Sequence, residues 1–351
     1  MKTTEEFMKG FESHFEDIND HRQTSKIIYP MIEILFLAVV AVAGKAEDWE
    51  EIEEFGKAHS DIFREYLPFS SGMPSDDTIR RFFEILDPEQ MNNVLIKSFE
   101  DRAINISEHE NIDKHYAIDG KALRGSKWGH RRAFHFLNIY ASHSGFTLYG
   151  KQLDAKENEI SALPEAIESL DLTDAIVTID AMGCQKTIAK QIIDRKGDYI
   201  FGLKMNHLIL YNEVEKAFST NAVNFFKMEL AETFDKGHGR QEIRKCRVIR
   251  DLSKIGNCKD WASLKSVIEV KRAFVENDKT SETTNYYISS SDKSAVFLLN
   301  SIRSHWGVES MHWIMDVVFG EDRSGIRKKW WSDKKNMAPF SVRSWRYFGN
   351  G

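Results

Sequence analysis

With 351 residues, 42% of them hydrophobic and 12% aromatic, the chain is long enough to bury a sizeable core and to hold two domains. Its most apolar run, residues 34–43, falls well short of the roughly 20 residues a membrane span needs, and its opening, MKTTEEFMKGFESHFED, lacks the apolar core of a signal peptide. The net charge of −6 argues against a polyanionic partner only at first sight, because residues 1–110 hold 24 acidic and 11 basic side chains whereas residues 111–351 hold 30 and 37.

Residues 1–110 read as all-helical, with helices predicted over 29–44, 49–60 and about 76–86. The third has a start signal: Pro74 and Ser75 precede Asp76 and Asp77, placing a cap and two acids at the positive helix end. Arg80 and Arg81 project from it, either as a solvated face or toward a DNA groove. From residue 115 the periodicity becomes that of strands. HYAIDGKAL, AFHFLNIYASHSG and FTLYGKQLD are predicted as three consecutive strands, with Gly145 in the second connection.

A helix over 159–170, a short buried strand over 175–179, a helix over 185–195, a strand over 198–203 and a helix over 208–218 follow. This order predicts an α/β fold, a mixed sheet flanked by helices. Residues 228–290 return to β-like segments, with a turn at 277–280, and are expected to form a β-rich insertion at about 220–292. Residues 295–319 are expected to be helical. Cys184, Cys246 and Cys258 are odd in number and scattered, which argues against disulfides and thiolate zinc and fits a reducing cytoplasm.

Asp119 in AIDG and Asp180 in TIDAM stand at or near the ends of apolar strands, where a carboxylate is held rigidly and can face a cleft. A cap or turn role explains either one alone equally well. In SHWGVESMHWIMDVVFGED, His305, Glu309, His312 and Asp316 are spaced four, three and four apart and so line one stripe of a helix. Burying that stripe is costly unless a metal ion or a phosphate partners it. Two aspartates and a glutamate offer the hard oxygen ligands that Mg²⁺ and Mn²⁺ prefer. A pair of such ions roughly 3.5–4 Å apart suits in-line phosphoryl displacement. A zinc site on His305, Glu309 and His312 is a weaker rival, since HxxxExxH is not HExxH and Asp119 and Asp180 would be left without a role.

These motifs resemble the H-repeat-associated branch of bacterial insertion-sequence transposases: Asp119 in AIDGKALRGS, Asp180 in TIDAMGCQ and Glu309 in HWGVESMHWIMDVVFGEDRSGIRK. The similarity extends through YPMIEILFLAVVAVAGKAEDWEEI, GMPSDDTIRRFFEILDPE and GHGRQEIR, and covers about residues 20–338. It implies a ribonuclease H-like catalytic domain over 111–351 and a helical, DNA-contacting associated domain over 1–110. It further implies that Asp119, Asp180 and Glu309 are the catalytic residues and hold two Mg²⁺ or Mn²⁺ ions. The expected reaction cuts transposon ends with water and joins the freed 3′-hydroxyl to target DNA. Double-stranded DNA is then the partner, a homodimer across paired ends the expected assembly, and the bacterial cytoplasm, at the nucleoid when bound, the expected location.

Lys121 and Arg124, just after Asp119, suit either a DNA phosphate or salt-bridged loop positions, and the family match places His238 and Arg240 of the Gly-flanked GHGR loop at the DNA. Related groups surround the glutamate with a tyrosine, an arginine and a lysine, where this chain has Ile302, His305 and Asp316. His305, Arg303, Arg323 and Arg327 are the candidate substitutes, and Lys328 is a further expected DNA contact. Trp306 and Trp313 are expected in the core, whereas Trp330 and Trp331, after a basic run, suit a DNA surface. Beyond Ala338 the resemblance calls for an apolar helix, but PFSVRSWRYFGNG begins with the helix breaker Pro339. The alternative function is therefore an inactive or truncated remnant that only binds DNA.

Overall fold

The computed structural model describes residues 4–46, 48–87, 90, 91, 94, 113–123, 134–153, 158–219, 225–237, 240–276 and 279–317. Five α-helices are described before the first strand: α1 (Thr4–Phe15), α2 (Met31–Ala43), α3 (Trp49–Ala58), α4 (Ser60–Arg64) and α5 (Asp76–Ile85). MIEILFLAVVAVA is apolar all round, and α2 is accordingly buried, with Ile34, Leu35, Leu37 and Ala38 sealed from solvent. α1 was not singled out as a helix in the sequence. It lays Phe11 against Phe36, ring centroids 5.3 Å apart. α5 starts where its cap predicts, with Ser75 accepting from the Thr78 N–H. Arg80 pairs with Asp77 and Glu84, and Arg81 with Asp77, all within the helix.

Nine strands form one sheet: β1 (His115–Leu123), β2 (Phe134–Ala141), β3 (Phe146–Leu153), β4 (Ile176–Ile179), β5 (Asp198–Leu203), β6 (Met228–Gly237), β7 (Arg240–Ile249), β8 (Ser266–Glu276) and β9 (Lys279–Ser289). Their spatial order is β3-β2-β1-β4-β5-β9-β8-β7-β6. β1, β4 and β5 run parallel, and the other described pairings are antiparallel. The strands of the β-rich stretch thus continue the same sheet. Its last strand, β9, joins β5 edge to edge, and two long hairpins carry the sheet onward.

Parallel strands need crossovers, and α6 (Glu159–Glu168) and α7 (Lys186–Asp194) supply them. β4 is buried on both faces, as its unbroken IVTI implies. Val177, Ile179, Tyr199 and Phe201 belong to the same apolar cluster as α6 and α7. Ile176 and Ile200 face the other way and pack with Leu298, Leu299 and Ile302 of α9 (Ala295–His305). α8 (Leu208–Phe218) follows β5.

The single helix expected over 295–319 is broken. α9 ends at His305, Trp306 is a turn, and α10 (Gly307–Val317) begins again. Gly307 is the physical reason: it is a poor helix former, and a Cβ there would stand 3.1 Å from the Tyr140 ring. All three cysteines are free and buried, as small apolar residues. Among the described residues no helix is long and apolar enough to cross a membrane.

Candidate active site

The register of β1 against β4 pairs Ile118 with Ile179, so Asp119, in the middle of β1 and not near a strand end as the sequence suggested, comes beside Asp180 just past the carboxyl end of β4. Beyond such carboxyl ends lies the usual ligand crevice of open α/β sheets. α9 and α10 bring Glu309 to the same place. Asp119, Asp180 and Glu309 line one cavity of about 270 Å³, together with Thr178, His305 and Trp306.

Each acid is held by its own local structure. Asp180 Oδ1 accepts from the backbone N–H groups of Met182 (2.9 Å) and Gly183 (3.2 Å), so the carboxylate also shapes the turn after β4. Asp119 pairs across the sheet with buried Asn138. The Asn138 side-chain nitrogen lies 2.9 Å from His312 Nε2, and His312 Nδ1 lies 3.8 Å from Asp119 Oδ2. With the Asn138 amide donating, the ring proton sits on Nδ1 and faces Asp119. Glu309 stands exposed in the first turn of α10.

Burial first, and then the negative charge of Asp180, Glu159 and Glu309, push the Asp119 carboxyl up to about 7. Burial and Asp180 also raise Glu159. Beneath the acids runs a buried polar chain. His115 Nε2 and His305 Nδ1 each lie 3.0 Å from Thr178 Oγ1, and His115 Nδ1 meets Ser142. Desolvation lowers His115 to about 3 and His305 to about 4, the latter against the pull of Asp180. Both rings are neutral at pH 7.

Over residues 110–332 the sequence matches the family model described as "Transposase DDE domain", and over residues 12–98 the one described as "DDE_Tnp_1-associated". The chain belongs to the DDE transposase family. Its relatives include YhhI of Escherichia coli K12, named as an H repeat-associated transposase, which is 36% identical over 92% of this chain and 86% of its own. YncI of E. coli O157:H7, also named as a transposase, is 36% identical over 89% of this chain and 80% of its own. A piggyBac transposase synaptic complex with hairpin DNA overlays with a TM-score of 0.37 at 11% identity, covering 88% of this chain and 64% of that one, and no inference rests on it. Family and relatives together make this an insertion-sequence transposase of the H repeat-associated kind.

The remaining predicted residues of the transposase fall in different places. Lys121 is buried, and its ammonium lies 3.4 Å from the His312 carbonyl, which ties β1 to α10. His305 lines the cavity but is neutral, which gives it hydrogen bonds and not charge to offer. Arg303 pairs with Asp235. Arg240 opens β7, and its side chain, like that of Asp316, is not among those described. Arg124, His238, Arg323, Arg327, Lys328, Trp330, Trp331 and the segment from Pro339 lie outside the described residues, as does the turn at 277–278.

Trp306 and Trp313 correct the expectation of a core position, being 50% and 60% exposed on either side of Glu309. Sequence reasoning missed Asn138, Thr178, His115 and Glu159. The signal for the first three was a polar side chain inside a strand otherwise apolar enough to be buried.

Among the described residues, no three His, Cys, Asp or Glu side chains close around a point as a finished metal site. The donor chemistry of the three acids still fits a hard divalent cation. All are carboxylates, they come from separate elements, and the like charge crowding Asp119 is what a cation would neutralise.

Proposed function

We propose that this transposase cuts DNA at the ends of its insertion sequence and joins them to target DNA, with Asp119, Asp180 and Glu309 holding two divalent ions, Mg²⁺ or Mn²⁺. The convergence of three distant acids on one cavity, where β4 ends beside the middle of β1, carries the proposal. The order β3-β2-β1-β4-β5, with β2 and β3 antiparallel to a parallel trio, supports a ribonuclease H-like core. The helices before β1 are its associated domain.

In the first step a water oxygen attacks the phosphorus at the transposon end, and the P–O3′ bond breaks to leave a 3′-hydroxyl and a 5′-phosphate. In the second, that 3′-oxygen attacks a target phosphodiester, one P–O bond forms as another breaks, and a target 3′-hydroxyl departs. Bound divalent ions stabilise the attacking and leaving oxygens of such displacements. The protein's part is to fix the three carboxylates. Asp180 is held by its turn, and Asp119 faces the His312 ring that Asn138 orients. Neutral His305 offers the phosphate a hydrogen bond, and the exposed Trp306 and Trp313 offer flat surfaces for bases.

Double-stranded DNA is the partner, held further by Arg124, His238, Arg240, Arg323, Arg327 and Lys328, and a homodimer pairs the two ends. Excision of the flanked element from a donor plasmid in cells tests this reading. Asp119→Asn, Asp180→Asn and Glu309→Gln should each reduce excision at least ~10³-fold with normal protein levels. Excision by any one at the wild-type rate removes that residue from the site.

A further inference from the structure

The cavity is not lined by acids alone. The neighbouring parallel strands β1, β4 and β5 bring to it in turn Asp119, Asp180 and Lys204, the last being one residue past the end of β5. Among the described residues that line the cavity, Lys204 is the sole lysine or arginine. β5 pairs with β9 as far as Leu203 and Tyr286, so the next two positions, Lys204 and Asn285, are neighbours. Both line the cavity, and both are exposed.

The backbone at Lys204 is fixed to the turn that carries Asp180. Gly202 passes that turn so closely that a Cβ on it would stand 3.2 Å from the Ala181 nitrogen. Just beyond Lys204, the Asn206 side chain donates to the Ala181 carbonyl at 2.7 Å, and the His207 ring donates from Nε2 to the Cys184 carbonyl at 2.6 Å. Arg303 is tied to Asp235 and Lys186 to Asp260, whereas the Lys204 ammonium forms no ion pair among the described residues.

A lysine at a strand end is ordinarily a solvated side chain. That role does not explain a cation anchored beside Asp180 in the cavity of three acids, with no carboxylate bound to it. A DNA strand carries one phosphate per nucleotide, and divalent ions on the acids would compensate the charge of the scissile one. The adjoining phosphate needs a cation of the protein's own, and a lysine ammonium serves phosphate as a point charge.

We propose that Lys204, with the Asn285 amide beside it, binds the phosphate next to the scissile one and so sets the strand in line with the acids. The inference rests on the reading of this cavity as the site of DNA cleavage. The test measures binding of the full-length protein, in Ca²⁺ over a range of salt, to a duplex carrying the inverted repeat that flanks its gene, and nicking of the same duplex in Mg²⁺.

Lys204→Gln should lower the slope of log affinity against log salt by about 1, the mark of one lost phosphate contact, and should melt at the wild-type temperature. Lys204→Arg should restore the slope. Replacing single phosphates around the cut by uncharged methylphosphonates should weaken wild type at a position beside the cut where Lys204→Gln is unaffected. A wild-type salt slope in Lys204→Gln, or equal sensitivity of the two proteins to every methylphosphonate, while wild type nicks the repeat end, would overturn the proposal alone. Repeat DNA that wild type neither binds nor nicks would overturn it together with the cleavage reading.

Discussion

Asp119 is placed where its charge opposes folding, and this has a measurable sign. Below about pH 4 the group is protonated in folded and unfolded chains alike and contributes nothing. As pH rises toward 7 the unfolded chain ionises first, because the folded carboxyl is pushed up to about 7 by burial and by Asp180. Metal-free protein should therefore lose stability between about pH 4 and 7 and lose no more from this group above that. Asp119→Asn should flatten that slope and stabilise the apo protein at pH 8 by up to about 4 kcal/mol, read from urea unfolding. An unchanged slope would mean that Asp119 is not the strained group. An acid whose removal stabilises the fold is one kept for function. The candidate acids Asp119, Asp180 and Glu309 were legible because an acid interrupting an apolar strand pattern and a helix stripe are local signals, though the strand-end position read for Asp119 proved to be mid-strand. Glu159 was not legible, since only the fold brings the start of α6 against Gly120, and neither was the exposure of Trp306 and Trp313, since a helix stripe does not say which side meets solvent.

Strands and helices were read from the sequence to within a few residues wherever one period dominated. β5 and α8 match their predicted spans, 198–203 and 208–218, and β1 spans HYAIDGKAL. Two features escaped for physical reasons. The α9–α10 break depends on the close pass of Gly307 by Tyr140, a tertiary contact. The continuation of the sheet from β5 into β9 depends on edge pairing, which hairpin patterns do not specify. The added hairpins carry their own buried ion pair: Arg247 and Glu269 are directly opposed on β7 and β8, with Nε–Oε1 at 2.7 Å and Nη2–Oε2 at 2.9 Å, and the Glu269 side chain is 3% exposed. Arg247→Met should cost about 3–5 kcal/mol in chemical denaturation by stranding that carboxylate, and adding Glu269→Met should recover much of the loss. A cost under about 1 kcal/mol would show that water reaches Glu269.

Across the whole molecule, the described helices before β1 fall within the acidic residues 1–110, and the sheet with the helices packed on it falls within the basic residues 111–351. Three elements far apart in sequence, β1, the turn after β4 and α10, meet at one cavity because parallel pairing sets Asp119 beside Asp180 and the helices after the sheet bring Glu309 to them. The account stands or falls on whether that meeting point performs phosphoryl transfer. The direct measurement is strand nicking by purified protein on duplex DNA carrying the inverted repeats that flank its gene, with Mg²⁺ or Mn²⁺ added, comparing wild type with Asp180→Asn. The account predicts nicks at the repeat ends with wild type, none with EDTA, and none with Asp180→Asn, which still binds the DNA. Equal nicking by both proteins, or binding without any nicking by wild type, would contradict it.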